Sequence, residues 1–156
     1  MCGTLIGMTE KAAFNAEEWS QLVEAPALAA LRMVAADKGG SFRESLSLGR
    51  AYAEAHKEGA GLVAEIAGTP PQIDRSQLKD RDAIPQRAEQ ALREALAILE
   101  RKATPEELDA YRAFVLKLAD TVAHAHKEGG FLGIGGKEVS ENEQKALDEL
   151  AAVVNA

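Results

Sequence analysis

The sequence predicts an all-α fold, on three observations. Apolar residues recur at three- and four-residue spacing through most of the chain. Alanine and leucine carry the apolar content while aromatics make up only 4%, a bias that favours helices and close helix packing. Glycine or proline ends each periodic run, as in Asp37-Lys38-Gly39-Gly40 and Gly68-Thr69-Pro70-Pro71. No stretch sustains the alternation of a strand. At 156 residues the chain can bury one real core. A compact bundle of five to seven helices with short connections is the natural packing.

Residues 1–14 read as a flexible N-terminus and 15–156 as a single helical-bundle domain. Asn15 suits an N-cap, with Glu17 and Glu18 in the first turn favouring the helix dipole. Trp19, Leu22, Val23, Ala30, Met33 and Val34 form the inward stripe of this first helix. Pro26 sits inside it and predicts a break or kink just before. Ser41-Phe42-Arg43-Glu44 is a capping box that opens a second helix. That helix presents Phe42, Leu46, Gly49, Ala53 and His56 on one face. It pauses at Gly59 and Gly61 and resumes through Leu62, Val63 and Ile66. Residues 68–82 are a polar linker. Asp82 before Ala83-Ile84-Pro85 reads as a cap with proline in the first turn. Ile84, Ala88, Ala91, Leu92, Ala95, Ile98 and Leu99 follow at helical spacing. Thr104-Pro105-Glu106-Glu107 is the strongest helix start in the chain, and the helix it opens runs to about Lys127 with a stripe of Leu108, Tyr111, Val115, Leu118 and Val122. A glycine-rich loop, 129–136, carries Phe131, Leu132 and Ile134. Ser140-Glu141-Asn142-Glu143 is a second Ser-x-x-Glu box, and Leu147, Leu150, Ala151 and Val154 are the buried face of the helix it opens.

Ala55-His56-Lys57-Glu58-Gly59 returns unchanged as Ala125-His126-Lys127-Glu128-Gly129. A different register places Ala35-Ala36-Asp37-Lys38-Gly39-Gly40 over Ala125-His126-Lys127-Glu128-Gly129-Gly130 and brings the two Ser-x-x-Glu boxes into the same order. It repeats a whole unit of apolar helix, glycine turn and capped helix. The preferred architecture is therefore two pseudo-repeats, about 19–67 and 83–155.

The net charge of −7 and the absence of a lysine or arginine cluster argue against nucleic acid as a partner. Cys2 is the only cysteine, so no internal disulfide can form, which fits a reducing compartment and a cytoplasmic location. No run approaches the ~18 apolar residues of a membrane span.

His56, on the apolar stripe of its helix, reads first as a hydrogen-bonded core histidine and second as a metal ligand. His126 sits at the edge of its stripe, and His124 points to the opposite side, into solvent. Asp37, Glu44, Glu128, Glu138 and Glu143 are candidate oxygen ligands for a divalent cation. Ser41, Thr104, Ser140 and Glu143 read first as helix caps. The glycine-rich loop lacks a Gly-Lys-Ser/Thr ending and follows no strand, so it is a poor phosphate cradle. Phe131, Leu132 and Ile134 either fold over the bundle as a lid or form a contact patch for a protein partner or a second copy of the chain. No nucleophile with an adjacent base is visible, which leans against an enzyme.

The segment from Ala35 to Glu44 resembles the Ala-x-Ala-Asp-Gly-x-x-Ser-x-x-Glu signature of tellurite-resistance TerB-like helical domains. Residues 123–150 resemble the same pattern with a longer loop and Lys127-Glu128 in place of the aspartate. The chain also resembles small bacterial helical proteins with a "KEGGFLGIGG…VS..E" C-terminal segment. The TerB resemblance implies an all-α bundle and a divalent-metal-binding stress-response role. It carries Asp37 and Glu44 over as metal-associated residues, to which His56, His126 and Glu128 are the neighbouring candidates. The residues read alone favour a non-enzymatic helical domain that mediates protein–protein interaction or self-association as a homodimer.

Overall fold

In a computed structural model of the chain, residues 9–36, 42–59, 61–73, 76, 79–128 and 141–156 are described, with side chains described for all of these except 42–47 and 126–128. Among the described residues there are six α-helices and no strand: α1 (Ala16–Ala36), α2 (Phe42–Glu58), α3 (Gly61–Ala67), α4 (Ile84–Lys102), α5 (Pro105–Glu128) and α6 (Glu141–Val154). Short 3-10 turns at Lys11–Ala13 and Arg81–Ala83 precede α1 and α4. The all-α bundle expected from the sequence is the fold observed. α1 lies against α4, α5 and α6, while α2 lies against α5 and α3.

α1 is buried along much of its length. Ala25, Ala29 and Ala30 are fully buried, and their small side chains let neighbouring helices come close. Leu22 and Met33 of α1 join Leu92, Ala95 and Leu99 of α4, Tyr111, Val115, Leu118 and Val122 of α5, and Leu150 and Val154 of α6 in one core. Burial of each such leucine or valine side chain contributes about 1.5–3 kcal/mol, so this shared core is the main source of stability.

Of the break or kink expected at Pro26, a break does not occur, because α1 continues through it to Ala36. Proline has no N–H, so the carbonyl of Leu22, four residues earlier, loses its helical donor. The Tyr111 hydroxyl of α5 takes that place, donating to the Leu22 carbonyl at 2.8 Å. Leu22 and Tyr111 are both fully buried, so the partner comes from the protein. Burial, and the proximity of Tyr52, push the Tyr111 hydroxyl well above the ordinary phenol range, keeping it protonated as a donor.

α2 faces the bundle with a different side from the one expected. Gly49, Ala53 and His56 are exposed, whereas Ala51 is buried and Leu48, Tyr52 and Ala55 are half-buried. These four stand at i, i+3, i+4 and i+7. Turning this face inward seats the Tyr52 ring edge-on against Phe114 of α5, with centroids 5.5 Å apart. It removes more apolar surface from water than glycine and alanine could, which decides the rotation.

Two α-helix starts follow capping chemistry. Asn15 and Glu18 exchange side-chain-to-backbone bonds of 2.8 and 3.0 Å at α1, and Thr104 and Glu107 do the same at α5 with 3.2 and 3.1 Å. The cap expected from Asp82 is corrected. Ala83 holds the cap position of α4 without a side-chain bond, and Asp80 caps the preceding 3-10 turn by accepting from the Asp82 N–H at 3.1 Å. Proline in the first turn has no N–H, so that position needs no cap acceptor.

A double-mutant cycle tests the Pro26–Tyr111 relation. Tyr111→Phe alone leaves the Leu22 carbonyl unsatisfied and should cost about 1–3 kcal/mol in urea denaturation. In a Pro26→Ala background the restored helical N–H serves that carbonyl, and the cost of Tyr111→Phe should fall. Equal costs in both backgrounds would show that the hydroxyl does not stand in for the missing donor.

Candidate functional site

Of the sequence-derived metal candidates, only His56 and Glu143 have described side chains. Asp37 lies outside the described residues. Glu44 stands on α2, and His126 and Glu128 on α5, but their side chains lie outside the described set. Among the described residues no three His, Cys, Asp or Glu side chains converge as a metal-holding group. Phe131, Leu132 and Ile134 also lie outside the described residues, as do Glu138 and the caps Ser41 and Ser140. Glu143, the partner expected for Ser140, is buried, with 1% exposure.

His56 is not a core residue. It is exposed at the end of α2, and its Nδ1 lies 2.9 Å from the Ala64 carbonyl of α3. A carbonyl only accepts, so Nδ1 carries the hydrogen. The same carbonyl accepts the Gly68 N–H at 3.0 Å. The imidazole therefore shares the C-terminal turn of α3 with the backbone and ties α2 to it. Gly68 makes room, since a Cβ there would stand 2.4 Å from His56 Nδ1. With Nδ1 held by a carbonyl, Nε2 keeps the lone pair, which is the tautomer that metal-ligating histidines use. His124 is exposed as expected, its Nδ1 2.9 Å from the Asp120 carbonyl and 3.2 Å from the Asp120 carboxylate.

A shallow open groove of about 450 Å³ runs along α6, lined by Glu141, Gln144, Lys145, Asp148, Glu149 and Ala152. Behind it, Arg32 of α1 pairs with Glu149. Arg32 is 6% exposed. Burial lowers its pKa from the ordinary guanidinium range, and Glu89 of α4 opposes that shift. The pair joins α6 to α1.

Another polar cluster gathers where α4 ends and α1 and α5 begin. Glu107 accepts from the Thr9 N–H at 3.0 Å and the Thr9 hydroxyl at 2.7 Å as well as from its own cap partner. Burial raises its pKa, but the hydrogen bonds from Thr9 and Thr104 outweigh that and hold it below the ordinary carboxylate value. Lys102 donates to Glu18 at 2.6 Å and to the Ala13 carbonyl at 3.1 Å. The bond from Lys102, followed by that from Asn15, lowers the Glu18 pKa. Sequence reasoning missed Thr9, Arg32 and Lys102. Periodicity carries no sign of partners so far apart in the sequence, and only the basic last turn of α4 hinted at Lys102.

No family model, curated protein or solved structure matches the chain.

Gly68→Ala should push the His56 ring off the Ala64 carbonyl and cost about 0.5–1.5 kcal/mol, the net value of one hydrogen bond. With His56→Ala already in place, the same change should be neutral or stabilising, because alanine restricts the unfolded chain. Urea denaturation of the four proteins measures this, and an equal loss in both backgrounds would refute the packing of His56 on Gly68.

Proposed function

We propose that this chain is a non-enzymatic, cytoplasmic helical module that works by associating with a protein, in its simplest form a second copy of itself. The observation that supports this best is the employment of the described reactive side chains. Glu18 and Glu107 cap helices, Lys102 bridges helix ends, His56 ties α2 to α3, and the Tyr111 hydroxyl serves Leu22. These groups act on the scaffold, which leaves surface contact as the chemistry on offer. The groove along α6 is one such surface, and α6 follows directly in sequence on the stretch holding Phe131, Leu132 and Ile134. Cys2 as the sole cysteine fits a reducing compartment. No helix of the described residues is long and apolar enough to cross a membrane.

Light scattering after size exclusion tests the self-associating form. The wild-type chain should run as a dimer at high concentration, and Phe131→Asp and Leu132→Asp should each shift it to monomer. A monomer in all three samples would remove self-association from the reading.

The second reading is a divalent-metal-binding stress-response protein resembling TerB-like domains, with Asp37, Glu44, His56, His126 and Glu128 as ligands. Its support is the exposed His56, whose Nδ1 is held by the Ala64 carbonyl, the second contact that metal-ligating histidines make. Titration calorimetry of the full chain with calcium, magnesium and zinc decides it. Saturable heat at or below about millimolar metal, lost in His56→Ala, supports the reading; no saturable heat for any of the three ions ends it.

A further inference from the structure

Residues 9–14 cross one end of the bundle and touch four helices. Thr9 donates its N–H and its hydroxyl to Glu107 of α5 at 3.0 and 2.7 Å. The hydroxyl also lies 3.4 Å from the Lys102 carbonyl of α4. The Lys11 N–H donates to Glu65 of α3 at 3.2 Å. Lys102 holds the Ala13 carbonyl and Glu18 of α1. All of these ties are polar and lie at or near the surface, where water competes for each donor and acceptor.

Beneath them is an aromatic patch. The Phe14 ring packs on Trp19 with centroids 6.0 Å apart. The Lys11 ammonium stands 5.3 Å from the Trp19 ring centre, and that of Lys102 stands 5.8 Å from the Phe14 ring centre. Trp19 is 6% exposed, yet its indole Nε1–H is buried without a hydrogen-bond partner. Closure thus costs the indole its hydrogen bond, and opening would return it to water. The segment lies outside every α-helix, with only the 3-10 turn Lys11–Ala13 of its own, so it can leave without unwinding a helix.

We propose that residues 9–14 form a clasp that opens and closes on an otherwise intact bundle and gates exposure of Trp19. Closure is held by the carboxylates of Glu107 and Glu65, the ammonium of Lys102 and the burial of Phe14 against the core, and opening is favoured by the unsatisfied indole. The clasp is a local unit of low stability set on a stable core, a division that folded proteins commonly show.

The test uses the full chain with Thr9→Pro, which removes the N–H and the hydroxyl together and alters no helix. Trp19 is the only tryptophan, so tryptophan emission reports on this one site. Losing two bonds to a carboxylate should shift the opening equilibrium on the order of a hundredfold. Emission should move to the red and acrylamide quenching should rise while the far-UV helical signal stays as in wild type. Lys102→Met, which cuts the ties to Ala13 and Glu18, should do the same. In the wild-type chain the amide hydrogens of Ala13 and Phe14 should exchange faster than those in the middle of α1. Trp19 as protected in both variants as in wild type would overturn the proposal. So would exposure of Trp19 only together with loss of helix, because the segment would then belong to the cooperative core.

Discussion

A single carbonyl, that of Leu22, sets the terms for the centre of this bundle. Pro26 deprives it of a donor inside a helix that is buried on most sides, and water cannot reach it there. A buried unpaired carbonyl costs about 1–3 kcal/mol, a large part of a small domain's net stability. The Tyr111 hydroxyl, at 2.8 Å, removes that cost. It can do so only if α5 sits at one height and one rotation against α1. The same register places Val115, Leu118 and Val122 in the shared core. α4 and α6 then pack on α1, and α2 packs on α5. Apolar packing supplies most of the energy, but it tolerates small slides between alanine-rich surfaces. The directed hydrogen bond does not.

How much of this could be read from the residues depends on how local the cause is. The buried faces of α4 and α5 were legible, as was the start of α5, because one regular stripe marks each face and the Thr104–Glu107 box marks that start, while the cap of α4 was not. The Asn15 cap was legible for the same reason. The rotation of α2 was not. Its sequence supports two stripes about 100° apart, one through Gly49, Ala53 and His56 and the other through Leu48, Ala51, Tyr52 and Ala55. The choice is made by Phe114, which lies on another helix and receives the Tyr52 ring. Pro26 is a parallel case: a local rule forecasts a break or kink, and the carbonyl that the proline leaves without a donor is served by a residue 85 positions later in the sequence, Tyr111.

The candidate site shows the same divide. His56 was noticed as a residue able to do chemistry, and its second nitrogen remains suited to a ligand. Its place on the stripe was misjudged along with the rotation of α2. The reason it sits where it does is Gly68, whose missing Cβ admits the imidazole to the last turn of α3. Nothing in the spacing of histidines announces that. The Arg32–Glu149 pair behind the α6 groove was equally silent, since neither residue breaks the apolar pattern of its helix. Contacts between distant elements follow from packing, and packing follows from the whole core.

The corner formed by α1, α4 and α5 explains why a segment with the composition of a loose lead-in is held at all. The end of α4 is basic, with Arg101 and Lys102 in its last turn. The first turns of α1 and α5 are acidic, with Glu17 and Glu18, and Glu106 and Glu107. Each charge suits its own helix dipole. Because the three helix ends meet, they also suit one another, and Lys102 reaches Glu18 at 2.6 Å. Each helix end also leaves backbone groups or carboxylate lone pairs unspent. Thr9 supplies two donors to Glu107 and approaches the carbonyl of Lys102, and Ala13 supplies an acceptor to the Lys102 ammonium. The segment is thus recruited by capping groups that the helices already require, with Phe14 as its one residue in the core. The same origin makes the attachment separable, since the Asn15–Glu18 and Thr104–Glu107 caps close without it.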